Sequence, residues 1–112
     1  MVSEDQEQIL FVQWFTRQFP TVRIFAIPNG GHRHPAVAAK LKATGTVAGV
    51  PDLYVPLWRL WIEMKRTKGG RLSPAQKDWI AYLEGIGDTV IVGHGFEDAV
   101  GKLRQLGFVP IK

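Results

Sequence analysis

The sequence contains no cysteine, and it has only two acidic residues in the seventy positions from Gln8 to Lys77. The absence of cysteine excludes disulfide bonds and thiolate zinc sites, so any bound metal must be held by oxygen or imidazole ligands. Oxygen ligands favour a hard divalent cation such as Mg²⁺.

Long apolar runs are also missing, since none approaches the ~20 residues that a membrane-spanning helix requires. The amino end, Met1-Val-Ser-Glu-Asp-Gln-Glu-Gln, is acidic and polar, whereas a signal peptide is basic and then apolar. We therefore expect a cytoplasmic protein without a membrane partner. With 112 residues, 46% of them hydrophobic, we expect one globular domain over residues 1–112.

The shortage of acids leaves the span from Gln8 to Lys77 strongly basic, with eleven Lys or Arg residues against Asp52 and Glu63. Basic side chains can simply solvate a small domain, but solubility alone usually mixes the two signs. We favour a polyanion partner, a nucleic acid, and expect no nucleotide cofactor. The residues predicted to contact the nucleic acid are Asn29, Arg33, Lys40, Lys42, Arg66, Lys68, Arg71 and Lys77.

Capping residues and apolar periodicity predict four helices and four strands. The first helix begins at the capping box Ser3-x-x-Gln6, and its inward stripe includes Leu10 and Phe11. A second capping box, Ser73 with Gln76, opens a later helix. In chain order we expect a helix over 3–19, a strand over 22–27, a helix over 36–43, strands over 53–57 and 60–66, a helix from 73 to 86, a strand over 89–92 and a helix over 97–106.

Three charged residues stand on or beside the two apolar strands in the middle of the chain. Strand side chains alternate, so Glu63 and Lys65 share one face, and an antiparallel pairing brings Asp52 across from them. A buried carboxylate without a cation or a metal costs several kcal/mol. A Glu-x-Lys pair can be a solvent-facing ion pair worth ~0.2–1 kcal/mol. The apolar strands and the absence of other acids favour a site for chemistry instead.

Hydrolysis of a phosphodiester needs the charge to be neutralised and a water molecule to be delivered in line. A divalent metal held by two carboxylates, with a lysine beside it, meets both needs. The loop at Asn29-Gly30-Gly31 could contact phosphates through its backbone amides, although most such loops are only turns. His32 and His34 could bind a metal, although pairs of this kind are usually exposed loop residues.

Pro51-Asp52 and Glu63-Met64-Lys65 resemble the PD-(D/E)xK nuclease signature. The segments around them resemble its VRR-NUC branch, in the stand-alone virus or prophage type. These segments are Ile27-Pro28-Asn29-Gly30-Gly31, Gly45-Thr46-Val47-Ala48-Gly49-Val50-Pro51-Asp52-Leu53, Glu63-Met64-Lys65-Arg66 and Ser73-Pro74-Ala75-Gln76.

The resemblance implies an α/β fold with a restriction-endonuclease-like core, a central mixed β-sheet flanked by α-helices. It implies that Asp52, Glu63 and the Met64 carbonyl bind Mg²⁺ or Mn²⁺ and that Lys65 is the catalytic lysine. It also implies a glutamate of the first helix near the metal, placed on Glu7 rather than Glu4, and a role for Gln76. The implied activity is that of a metal-dependent endodeoxyribonuclease, acting as a homodimer on branched DNA such as four-way junctions in a bacterial host cell.

Several alternatives stay open at this point. The protein could be a DNA-binding module without catalysis, in which Asp52, Glu63 and Lys65 form a structural cluster, or an RNA nuclease with the same core. Glu7 could simply favour the dipole of the first helix, and Gln76 is fully explained as a capping residue. The high aromatic content could supply a dimer interface, for which Trp58 at the hairpin turn is the preferred candidate.

Overall fold

The fold was analysed on a computed structural model, which describes residues 2–28 and 34–108. Its helices are α1 (Glu4–Gln18), α2 (Pro35–Ala43), α3 (Pro74–Gly85) and α4 (Phe96–Gln105). Its strands are β1 (Phe25–Ala26), β2 (Leu53–Val55), β3 (Leu60–Lys65) and β4 (Thr89–His94), with a 3₁₀ turn over Pro56–Trp58. Asn29 and Arg33, the loop Asn29-Gly30-Gly31 and His32 lie outside the described residues.

Both predicted capping boxes are present. The Ser3 hydroxyl accepts from the Gln6 N–H at 3.1 Å, and the Gln6 side chain accepts from the Ser3 N–H at 2.9 Å. Ser73 and Gln76 make the same reciprocal pair at 3.1 and 2.8 Å. These bonds satisfy backbone donors that the first turn of a helix leaves without partners, so each helix begins where the sequence predicts.

The four strands form one mixed sheet in the order β1-β2-β3-β4. β1 with β2 and β2 with β3 are antiparallel, whereas β3 and β4 are parallel. The β2–β3 hairpin closes at Arg59, whose φ of 48° places it in the left-handed region. The predicted α/β architecture with a mixed sheet flanked by helices is therefore confirmed.

The hydrophobic core lies between one face of the sheet and helices α1 and α4. Its members come from both helices, from the segment after α1 and from alternating positions of β2, β3 and β4: Phe11, Phe15, Phe19, Val22, Leu53, Val55, Leu60, Ile62, Met64, Ile91, Ala99, Val100 and Leu103. Because strand side chains alternate, Trp61, Glu63 and Lys65 of β3 project to the opposite face. Within the described ranges, no helix has both the length and the apolar character to cross a membrane.

Some sequence-based boundaries were wrong. The strand expected over 22–27 is only Phe25–Ala26, because its single partner β2 is itself three residues long. Three side chains expected to face inward are about half exposed: Leu10 at 47%, Ile86 at 51% and Leu106 at 48%. Ile86 and Leu106 are the C-cap residues of α3 and α4, and Leu10 lies on α1 beside the buried Phe11.

Candidate active site

Asp52 and Glu63 lie side by side, as the hairpin register requires. Leu53 pairs with Ile62 in the antiparallel hairpin, so Asp52, just before Leu53, lies next to Glu63, just after Ile62. The Asp52 Oδ2 atom accepts a hydrogen bond from the Met64 N–H at 2.8 Å. This bond fixes the Asp52 carboxylate at the end of the strand pair, beside the Glu63 carboxyl group.

Glu63 is a carboxyl group in an unfavourable place for a charge. Its side chain is 2% exposed, and its Oε1 atom accepts no hydrogen bond from the described residues. Burial is the main cause that raises the pKa of Glu63 from 4.5 to about 9, and the charge of Asp52 and a hydrogen bond with it act in the same direction. Lys65 opposes the shift. Without a further cation, Glu63 therefore holds a proton at neutral pH.

Lys65 and Gln76 complete the group around Glu63. The Lys65 Nζ atom lies 3.9 Å from Glu63 Oε2, and the lysine side chain is 8% exposed. The Gln76 Nε2 atom donates to the same oxygen at 3.1 Å, while its Oε1 atom accepts from the Ser73 N–H. Gln76 therefore serves at once as the helix cap that its sequence position explains and as a contact to the site.

Close packing of Gly49 against the start of α3 places Gln76 at this site. Gly49 has a φ of +96°, and a Cβ atom there would lie 2.7 Å from the backbone carbonyl carbon of Ala75. Only glycine combines this conformation with such an approach. The segment that leads into Asp52 is thus in direct contact with the first turn of α3. The sequence shows the glycine before Val50-Pro51 but not this contact.

The donor set suits a hard divalent cation. Two carboxylates converge, and the unpartnered Glu63 Oε1 atom is a buried oxygen that a cation would satisfy. Among residues 2–28 and 34–108 no three His, Cys, Asp or Glu side chains are grouped for metal binding. Mg²⁺ suits such a site, because it commonly takes one or two carboxylates together with water and substrate phosphate.

Among the described residues, the Glu7 side chain makes its hydrogen bonds with Thr67 and Phe96 and not with Asp52, Glu63, Lys65 or Gln76. It is 7% exposed, and its oxygens accept from the Thr67 hydroxyl at 2.9 Å and from the Phe96 N–H at 3.0 Å. The glutamate of α1 whose charge acts on Glu63 is Glu4, which after burial and Asp52 is among the causes that raise the pKa of Glu63. No pattern in the sequence pointed to Thr67, which simply follows the Lys65-Arg66 pair.

Six predicted nucleic-acid contacts lie within the described residues, and all six side chains are exposed: Lys40, Lys42, Arg66, Lys68, Arg71 and Lys77. Two are on α2, which buries none of its residues. His34, considered as a metal ligand, is the N-cap of α2, because its Nδ1 atom accepts from the Ala36 N–H at 3.1 Å. That contact gives His34 a local structural role.

The comparison with solved structures decides the family. A structure described as "VRR_NUC domain protein" is similar to this chain with a TM-score of 0.77 and 30% sequence identity, covering 94% of this chain and 88% of that chain. The chain belongs to the VRR-NUC domain family. A scan against family models and a search of curated proteins gave no match. The VRR-NUC assignment supports a nuclease-type, DNA-binding domain.

The VRR-NUC core also accounts for the aromatic residues. Trp58, the suggested interface residue, is partly buried and packs against the core: its ring is stacked on Phe108 at 4.2 Å and lies 5.6 Å from Phe15 and 5.0 Å from Phe19. These contacts give Trp58 a role in the fold, and its role in a dimer interface stays a prediction.

Proposed function

We propose that this VRR-NUC protein is a divalent-metal-dependent DNA endonuclease that acts on branched DNA. The observation that carries the proposal is the pairing of Asp52 with the buried, proton-holding Glu63, beside the ammonium of Lys65. Ionising Glu63 beside Asp52 in a buried place is costly, and a bound cation would offset that cost and release the proton.

In this proposal Asp52, Glu63 and the Met64 carbonyl hold Mg²⁺ or Mn²⁺. When bound, the metal would screen the phosphate charge and lower the pKa of a water molecule. Lys65 supplies a second positive charge to the phosphate and orients the attacking water. The water oxygen forms the new bond to phosphorus as one ester bond breaks. The attacking water releases a proton to solvent and the leaving oxygen takes one up, which leaves a phosphate end and a hydroxyl end. Gln76 holds the Glu63 carboxylate in position.

The preference for branched DNA and the homodimer come from the family resemblance. The exposed lysine and arginine side chains support a backbone-binding mode without base reading, since they contact phosphate whatever the sequence. Trp58 is partly buried, and its neighbour Leu57 at the same hairpin turn is 71% exposed, so this turn offers apolar surface to an interface. A monomer in size-exclusion chromatography with light scattering at micromolar concentration would contradict the homodimer.

The decisive experiment is cleavage of labelled four-way junction, flap, single-stranded, duplex and RNA substrates with Mg²⁺, Mn²⁺ or EDTA. We expect junction cleavage with either metal and none with EDTA. Asp52→Asn keeps an acceptor for the Met64 N–H but removes the charge, and Lys65→Met removes the ammonium. Each should lower the rate by roughly 10²-fold or more. Glu84→Gln, an exposed change on α3, is the matched control.

The alternative, a DNA-binding module with a structural ion-pair cluster, predicts binding that EDTA does not affect and no cleavage of any substrate. The raised pKa of Glu63 argues against it, because burial and Asp52 keep Glu63 protonated at neutral pH and a neutral acid makes no ion pair with Lys65. Cleavage by Asp52→Asn and Lys65→Met at the rate of the parent would refute the roles proposed for these residues, whereas DNA binding without cleavage of any substrate by the parent would leave this alternative.

A further inference from the structure

The Glu7 carboxylate lies among backbone groups at the ends of β3 and β4. Its Oε2 atom accepts from the Thr67 hydroxyl at 2.9 Å, and its Oε1 atom accepts from the Phe96 N–H at 3.0 Å. Each oxygen thus already accepts a hydrogen bond from another part of the chain. The carboxylate connects α1 with the segment after β3 and with the start of α4.

At α4, the carboxylate replaces a missing cap. The N-cap residue is Gly95, which has no side chain to accept from the first amides of the helix. A Cβ atom at Gly95 would lie 2.5 Å from Thr67 Oγ1 and 3.0 Å from Glu7 Oε2. Glu7 therefore occupies the place of an N-cap side chain and accepts from Phe96, and its negative charge favours the helix N-terminus.

At β3, the same carboxylate holds the segment that covers Lys65. Thr67 is two residues beyond Lys65, and the Lys65 carbonyl accepts from the Gly95 N–H at 2.9 Å. A Cβ atom at Gly70 would lie 2.9 Å from the Lys65 Cβ atom, so the backbone at Gly70, three residues after Thr67, packs directly against the base of that side chain. Lys65 is consequently 8% exposed although it ends its strand.

From these contacts we infer that Glu7 is a positioning residue that acts through Thr67 to hold Lys65, and that it is not a metal ligand. The inference rests on the proposed nuclease function, because it assigns Lys65 a role in cleavage. It replaces the role near the metal that the family resemblance implies for Glu7. It also adds Thr67 and Gly95 to the residues on which the site depends.

The test compares variants that separate hydrogen bonding from charge. Thr67→Val removes the hydroxyl and touches no carboxylate, and Glu7→Ala removes both acceptors. Each should lower kcat about tenfold, the usual cost of losing a supporting contact, while the KM for DNA and the half-saturating Mg²⁺ concentration stay at parent values. Glu7→Gln can still accept from Phe96 and can donate to the Thr67 hydroxyl, so it should recover most of the kcat that Glu7→Ala loses.

A metal-ligand role predicts a different pattern. Glu7→Gln would then raise the half-saturating Mg²⁺ concentration tenfold or more, because it loses a negative ligand, and Thr67→Val would match the parent. That result would overturn the inference. Thr16→Val is the matched control, since the Thr16 hydroxyl contacts only backbone carbonyls of its own exposed helix turn among the described residues.

Hydrogen exchange supplies a readout that does not depend on activity. In the metal-free protein, Thr67→Val and Glu7→Ala should speed exchange of the Gly95 amide, which donates to the Lys65 carbonyl, whereas Glu7→Gln and Thr16→Val should not. Unchanged exchange in Thr67→Val would refute the inference even if the enzyme is active. A parent protein that cleaves no substrate would refute the proposed function, while the exchange data would still test whether Glu7 holds this segment.

Discussion

The protonated Glu63 should make the metal-free protein less stable as the pH rises. The pKa of Glu63 is about 9 in the folded state against 4.5 for an ordinary glutamate, mainly because of burial and then because of Asp52. Between these two values the folded protein keeps a proton that the unfolded chain has released. Stability is therefore lost as the pH rises through this window, and none is lost below pH 4.5.

The size of the effect follows from one proton. Each pH unit inside the window lowers the free energy of unfolding by about 1.4 kcal/mol, so a change from pH 5 to pH 8 lowers it by about 4 kcal/mol. Glu63→Gln has the same shape and no titration. The difference between the parent and this variant should therefore change by about 4 kcal/mol over the same range, with the variant the more stable protein at pH 8.

The assay is urea unfolding in EDTA at several pH values from 5 to 8, followed by tryptophan fluorescence. Contributions from groups shared by both proteins cancel in the difference. Glu84→Gln, which removes an exposed carboxylate on α3, should follow the parent at every pH. A constant difference between the parent and Glu63→Gln across this range would show that Glu63 ionises normally and would refute the reasoning.

Three other predictions concern the contacts around the site. Gln76→Glu keeps the capping acceptor but places a carboxylate against Glu63, so the rate of junction cleavage should fall about 10- to 100-fold. The helix content measured by circular dichroism should stay that of the parent. Cleavage at the rate of the parent would contradict the importance of the contact with Glu63. Gly49→Ala forces a Cβ atom to within 2.7 Å of the Ala75 backbone at a φ of +96°, and should cost roughly 1–3 kcal/mol of stability in urea melts and lower cleavage together. Asp88 accepts from Trp61 Nε1 at 2.9 Å and from Arg59 Nε at 2.7 Å. Asp88→Ala should therefore lower the free energy of unfolding by roughly 1–3 kcal/mol but still cleave with Mg²⁺ at low temperature. An unchanged melting curve for this variant would refute the importance of the contacts.

The sequence predicted those parts of the site that depend on local rules. Alternation along β3 placed Glu63 and Lys65 on one face, and antiparallel pairing placed Asp52 beside them. The capping box at Ser73 gave the start of α3 and therefore the position of Gln76. Each of these needs only a strand period, a hairpin or a helix start, so each could be read from a few neighbouring residues.

The environment of Glu7 could not be predicted in this way. Its partners, Thr67 and Phe96, are 60 and 89 residues away. Their contacts with Glu7 depend on how α1, β3 and α4 meet at one edge of the sheet. Nothing in the pattern around Glu7 distinguishes a carboxylate near a metal from one that caps a distant helix. The exposure of Leu10 and Leu106 was missed for a similar reason, because helix periodicity alone does not show which apolar side chains another element covers.

The contact between Glu7 and Phe96 has a consequence for the order in which the protein becomes competent. A ribosome must synthesise nearly the whole described chain before the acceptor at Glu7 meets its donor in α4. Contacts of such sequence separation form late, since the entropy of closing the long loop comes first. A nascent chain that ends before α4 would carry Asp52, Glu63 and Lys65 without the support that holds the lysine. Under the proposed nuclease function, full cleavage would therefore require α4 to be in place against Glu7.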